Sequence, residues 1–374
     1  MHSIFRTILL AACILSCLPA YAGAEAPVRV TLITPAIPAT NLFWNQLCGF
    51  ARTAAKDLHM DLTIIECRNR IEVEDNARRI LSGDNKPDCL MFVFQASHSE
   101  SVLRMADAAG VKVVLFNADI SPSARKVIGC PGKPHSSWIA HLSPDEETAG
   151  QLLAERLLRE AKTLGLTGSE GKYHLIGLGG GLETTVSNTR KAGLTKTVEH
   201  CKQTRIDRFL LTYWEYETAR IKTESLLELY PDARIYWTVS DTTALGAIEA
   251  IKKKGLKPGT DIVIGGVDWT RQGINAVRKG ELVASTGGHF MEGGWAMVLI
   301  YDYFHGHYFH DLGTMFPIQM QLIDKSNCAR YMPILRKENW NKIDFKQFTR
   351  THNPRLKKYD FSPEAVVNQL AGKL

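Results

Sequence analysis

The chain has 374 residues, 45% of them hydrophobic, with 45 Lys and Arg against 39 Asp and Glu, a net charge of +6. The basic residues are scattered rather than striped, which argues against nucleic acid as a partner. Past the first residues, no stretch reaches the ~20 consecutive apolar residues of a membrane-spanning helix, and a chain this long exceeds what one core usually holds, so two lobes are expected.

The opening "MHSIFRTILLAACILSCLPAYAGAEAP" has an Arg near its start, an apolar run and Ala20-Tyr21-Ala22 ahead of Gly23. It reads as an export leader over residues 1–22, which places the mature protein in the periplasm. Cys13 and Cys17 each stand in a lipobox-like setting, so lipoprotein anchoring stays open as an alternative. Six further cysteines (Cys48, Cys67, Cys89, Cys130, Cys201, Cys328) allow fifteen full pairings in an oxidising compartment, and the pairing is undetermined by spacing. No C-x-x-C occurs, so zinc and thioredoxin-like chemistry have no support.

Strand-like and helical runs then alternate. "VRVTLIT" (28–34) precedes a helix whose apolar residues Phe43, Leu47, Phe50, Ala51, Ala54, Ala55 and Leu58 recur three or four apart. "LTIIE" (62–66), a helix near 75–82, "CLMFVF" (89–94), a helix near 99–109 and "KVVLFN" (112–117) follow. These strands are short and almost continuously apolar, the pattern of parallel strands buried on both faces. The stretch 118–141, with Pro122, Pro131, Gly132 and Pro134, interrupts the rhythm. Alternation resumes with a helix near 145–163 and strands "YHLIGLG" (173–179), "FLLTYW" (209–214), "RIYWTVS" (234–240), "IVIGGVD" (262–268) and "LVASTGG" (282–288). A helix near 291–304, a strand "PIQMQLI" (317–323) and a tail rich in Asn, Lys and aromatics complete the chain. The expected fold is α/β, two doubly wound parallel-sheet lobes.

Ligands of open parallel sheets sit beyond the carboxyl ends of the strands. There the chain places Asn41, Phe43, Trp44, Asn117, Trp214, Ser240, Asp241, Asp268, Trp269 and His289. Aromatic planes can take the C–H faces of a polyhydroxylated ring, while acids and amides take its hydroxyls. Of these, the "GGVDW" pair is the sharpest: Asp268 is expected to accept ligand hydroxyls and Trp269 to flank or cover them. "GLGGG" (177–181) lacks the residues of a phosphate loop and reads as flexible glycine near a ligand or hinge. "HGHYFH" (305–310) offers His305, His307 and His310 without an assignable acidic ligand, so no metal is expected. Glu215 and Glu217 have no matched partner for glycoside hydrolysis, and no nucleophile elbow or H-E-x-x-H occurs.

Several segments, "TNLFWNQLCGFARTAAKDLHMDL", "KVVLFNADI", "DTTALGAIEAIKKKG", "IVIGGVDWTRQGINAVRKGELVAST" and "GGWAM", together resemble the type I periplasmic solute-binding proteins, the ribose-binding group, over residues 28–323. The resemblance implies a three-segment hinge between an N-terminal lobe of 27–142 with 286–314 and a C-terminal lobe of 143–285 with 315–325. Residues 326–374 are left as an extension, either a strap across the lobes or a docking surface. It also implies ligand contacts at Asn41, Phe43, Trp44, Asn117, Trp214, Ser240, Asp241 and Asp268, with further contacts near Asn188 and His289. Arg190 matches a family arginine of unassigned role. The family's Asp-Arg pair falls at Asn117-Ala118, and the missing arginine argues against a plain ribose ligand.

The implied protein is a monomeric, non-enzymatic binder without cofactor that closes on a small polar, sugar-like ligand. Its receiver is either the permease of an ABC importer or a membrane sensor, as in the autoinducer-2 receptor. A carbohydrate-active enzyme on the same fold is the alternative from another class.

Overall fold

The computed structural model describes residues 26–69, 71–95, 98–309 and 311–373. The expected leader, Cys13, Cys17 and His310 lie outside them.

Two six-stranded sheets form the frame. The first begins with β1 (Arg29–Thr34), β2 (Asp61–Glu66), β3 (Cys89–Val93), β4 (Lys112–Phe116) and β5 (Trp138–Pro144). Between them lie α1 (Leu42–Asp57), α2 (Ile71–Ser82), α3 (Ser99–Ala109) and the short α4 (Pro122–Ile128). The second sheet takes β6 (Tyr173–Gly179), β7 (Thr204–Leu211), β8 (Ala233–Thr238), β9 (Val263–Val267) and β10 (Ala284–Gly287). Its helices are α5 (Glu146–Thr163), α6 (Thr185–His200), α7 (Tyr216–Leu229), α8 (Asp241–Lys253) and α9 (Arg271–Lys279). After α10 (Glu292–Phe304), β11 (Met315–Ile318) joins the first sheet beside β5, and β12 (Gln321–Asp324) joins the second beside β10. All pairings are parallel except β10 with β12.

This is the expected α/β architecture of two doubly wound sheets, and the chain passes between them three times, after β5, after β10 and between β11 and β12. Two strand readings are corrected. The single strand 317–323 is really two, because the chain crosses from one sheet to the other at residues 319–320; residues 315–318 therefore belong with the first sheet, not the second as expected. Residues 286 and 287, assigned to the first lobe, pair within the second sheet. The proline-rich interruption also hides β5, whose residues 138–142 are all buried. Central strands such as β3 and β9 are buried throughout, as continuous apolar runs imply, whereas the edge strand β2 alternates between half-buried and exposed.

α1 shows how sequence becomes position. The Asn41 side chain caps it by accepting from the Trp44 N–H, and its apolar stripe is buried against α10 and the first sheet. The two rings at its start are thereby held at the carboxyl end of β1. The six described cysteines are free thiols, and burial pushes the Cys48 thiol up to about 12.

The extension comprises α11 (Cys328–Leu335), two 3-10 turns (Lys337–Lys342 and Phe345–Phe348) and α12 (Pro363–Ala371). It is packed on both lobes: α11 touches α9 and β12, while both 3-10 turns touch α1. Asp302 of α10 accepts from the N–H groups of Arg350 and Thr351 and from the hydroxyls of Thr351 and Tyr359, at 2.6–2.9 Å. Four charge-assisted bonds to one buried carboxylate hold this segment in place.

Candidate functional site

A cavity of about 270 Å³ opens between the carboxyl ends of the two sheets. Asn41, Phe43, Trp44 and Asn117 line it from the first lobe, Trp214, Ser240 and Asp268 from the second, and His289 from the crossing after β10. Arg190, Arg68, Val186, Tyr213 and Glu215 also line it and were not among the expected contacts.

The backbone is bent sharply where these side chains enter. Asn117, Tyr213, Trp214, Asp268 and Trp269 have φ values of 65°, 54°, 66°, 116° and 55°. Left-handed conformations are unfavourable for residues with a Cβ and persist only where the surroundings impose them. Here they end β4, β7 and β9 and turn Asn117, Trp214 and Asp268 into the cavity.

Glycines make room for the rings. A Cβ on Gly180 would lie 2.3 Å from the Trp214 indole, and Cβ atoms on Gly177 and Gly179 would collide with the Phe209 ring. The "GLGGG" run thus seats aromatic side chains, a more specific role than the backbone flexibility expected of it.

Arg190, fully buried on α6, organises the polar floor. Its Nε and Nη2 pair with the two oxygens of Glu146; Nη1 donates to the Val239 carbonyl at 2.8 Å and to Asp268 Oδ1 at 3.3 Å. Nη2 also lies 3.3 Å from His289 Nε2, so all five guanidinium hydrogens have partners. Burial opposes its charge, but the Glu146 and Asp268 carboxylates outweigh burial and hold its pKa above the ordinary value. The guanidinium lies 5.8 Å from the Trp214 ring centroid. The resemblance left this residue without a role; its partners come from α5, the ends of β8 and β9 and the crossing after β10, and only the fold assembles them.

Burial and the positive charge of Arg190 both lower the pKa of His289, so its ring is neutral. With Nε2 accepting from Arg190, Nδ1 carries the hydrogen, and that atom has no partner among the described residues. Its ring stacks on Phe43 at 4.6 Å. Burial raises the Asp268 pKa well above the carboxylate range, with Arg190 opposing and Asp241 and Glu146 adding to the rise. Arg190 takes Oδ1 of Asp268, which leaves Oδ2 for a ligand. Asn117 is likewise half committed: its Nδ2 donates to Oε2 of the buried Glu292 at 3.4 Å, leaving its carbonyl oxygen available. Each polar group is fixed from behind in one role, acceptor or donor.

Three expected contacts stand elsewhere. Asp241, wholly buried, accepts from Thr270 N–H (2.7 Å), Thr270 Oγ1 (2.9 Å) and Ser285 Oγ (2.7 Å). It sits where a Cβ on Gly266 or Gly273 would strike it, and it ties α8 to β10 and the start of α9. Burial pushes it up to about 7. Trp269 is fully buried behind the cavity, donating from Nε1 to the Ser285 carbonyl at 3.1 Å and lying 5.0 Å from the Tyr331 ring of the extension. Asp268 lines the cavity, whereas its neighbour Trp269 does not reach it. Asn188 is an exposed residue of α6 whose Nδ2 caps the Leu182 carbonyl at 2.8 Å; the helix turn carries Arg190 inward instead. Among the described residues, no group of three or more His, Cys, Asp or Glu could hold a metal ion.

The chain is similar to the galactofuranose-binding protein YtfQ of Escherichia coli, 23% identical over 239 residues, 63% of this chain and 70% of that protein. It is similar to the ribose import binding protein RbsB of Haemophilus influenzae, 24% identical over 196 residues, 47% of this chain and 60% of that protein. A periplasmic sugar-binding protein of Pseudomonas fluorescens superposes with a TM-score of 0.81 at 25% identity, covering 91% of this chain and 99% of that one. With two doubly wound sheets, a cavity between their carboxyl ends and a match over residues 33–307, the chain belongs to the periplasmic binding protein domain family.

Proposed function

We propose that this protein is an exported, monomeric binding protein that captures a small neutral sugar between its lobes and presents it to the permease of an ABC importer. It performs no chemistry on the ligand. The observation that carries this reading is the pairing, in one cavity, of the Phe43, Trp44 and Trp214 rings with Asn41, Asn117, Asp268 and His289. Rings supply apolar faces for C–H groups; Asp268 and Asn117 accept from hydroxyls, and Asn41, whose Oδ1 is taken by the α1 cap, has amide hydrogens to donate. A hydroxyl can do both, which suits a polyol ring.

The buried guanidinium supports a neutral ligand. Its hydrogens are already taken by Glu146, Val239, Asp268 and His289, so it has none left for a carboxylate or phosphate. The relatives that bind galactofuranose and ribose support a pentose or hexose, and their family supports periplasmic export and the importer. No described helix is long and apolar enough to cross a membrane.

The test is mass spectrometry of the protein under non-denaturing conditions, followed by calorimetric titration with D-galactose, L-arabinose, D-ribose and methyl β-D-galactofuranoside. A sugar that binds one to one and is recovered unchanged is the expected result. Turnover of the sugar, or binding only to sugar acids and phosphates, would overturn the reading.

A further inference from the structure

The carboxy-terminal extension covers the places where the chain crosses between lobes. At the crossing after β10, Trp340 stacks on Phe290 with ring centroids 5.9 Å apart and planes 27° apart. In the same segment Gly288 has φ 101°, and a Cβ there would come within 3.2 Å of Pro363. At the crossing between β11 and β12, Gln321 donates to Glu364 at 2.6 Å and accepts from the Tyr331 hydroxyl at 2.6 Å. Two of the three crossings are therefore clad by residues of one segment.

The same segment grips each lobe. Trp340 lies over Gly49 of α1, where a Cβ would be 2.8 Å from its ring, and sits 5.4 Å from Phe50. Tyr331 packs on Trp269 of the second lobe. Beside this strap a side chain spans the lobes directly. Gln46 of α1, 5% exposed, donates to the Trp269 carbonyl at 3.1 Å and accepts from the Arg271 N–H at 2.9 Å. Both ends of the amide are used across the interface, so separating α1 from the start of α9 leaves two donors and two acceptors without partners until water reaches them.

We propose that the extension and Gln46 form a brace that holds the lobes near their closed angle in the absence of ligand. Opening requires the crossings to change backbone angles, and cladding by Trp340, Pro363 and Tyr331 resists this, since packed aromatic contacts are lost when either segment turns. The brace lies behind Trp269, away from the rings that line the cavity, so ligand does not touch it. It narrows the range of opening and retards exchange, whichever ligand the cavity takes.

Small-angle X-ray scattering of the ligand-free full-length protein tests this without knowledge of the ligand. Wild type is compared with Gln46→Leu, which removes only the amide clamp, and with Gln46→Leu/Trp340→Ala, each checked for folding by circular dichroism. The expected result is a wild-type curve matching the closed arrangement and a larger radius of gyration for at least one folded variant. A wild type that is already open, or folded variants with unchanged scattering, would overturn the brace. Loss of sugar binding with the scattering order intact would instead count against the proposed function alone.

Discussion

Arg190 Nη1 lies 3.3 Å from Asp268 Oδ1 while the rest of the guanidinium is engaged by Glu146, Val239 and His289. One buried cation thus fixes the orientation of an acid and an imidazole that both line the cavity. Replacing Arg190 by Gln leaves Glu146 and Asp268 buried without a counter-charge. The expected loss of stability is on the order of 3–5 kcal/mol, read from urea unfolding. A loss below about 1 kcal/mol would mean that the pair is hydrated.

Asp268 offers its second oxygen to the cavity. Asp268→Ala is expected to weaken sugar binding by about 1.5–3 kcal/mol, the range for a hydrogen bond to a charged group, in calorimetric titration. Unchanged affinity would remove Asp268 from the site.

Gly180 and Trp214 make a test of the ring itself. A methyl group on Gly180 would lie 2.3 Å from the indole, so Gly180→Ala displaces Trp214. Its affinity loss should approach that of Trp214→Ala, ~1 kcal/mol or more, with little change in unfolding midpoint. Equal affinity for Gly180→Ala and wild type would show that the indole does not contact the sugar.

Trp269 and Asp268 are neighbours in sequence with opposite expectations. Trp269→Ala empties a fully buried site and should cost about 3–5 kcal/mol of stability. The milder Trp269→Phe should keep sugar affinity within about twofold, a difference of ~0.4 kcal/mol. A tenfold loss in a folded Trp269→Phe protein would return this ring to the site.

Asp241 predicts a pH dependence. Its folded pKa is raised by burial from 3.8 to about 7, so the folded state holds a proton that the unfolded chain releases. The resulting stabilisation is complete below pH 3.8 and is lost as pH rises through about 7. Unfolding free energy measured from pH 5 to pH 8 should therefore fall, and Asp241→Asn should flatten the slope. A wild-type slope of the opposite sign would show that Asp241 is ionised in the native protein.

Periodicity carried the architecture because buried parallel strands are nearly continuous in apolar residues and amphipathic helices are not. That signal located β1, β3, β4, β6, β8 and β9 and, through the strand-end rule, brought Asn41, Phe43, Trp44, Asn117, Trp214 and Asp268 under suspicion. It failed at β5, where prolines and glycine dominate the preceding loop, and at residues 317–323, where one apolar run serves two sheets. What a pattern along the chain could not decide is direction. Asp268 and Trp269 share a strand end, yet one lines the cavity and the other packs on the extension. Asp241 begins a helix at the cavity edge, but two glycines and three hydroxyl or amide donors from distant segments draw its carboxylate inward. Arg190 acquires its role from partners 44 to 99 residues away. Local sequence determines which groups stand at the cleft; contacts between remote segments determine which of them face it, because side-chain orientation there follows the lowest cost of burying charge.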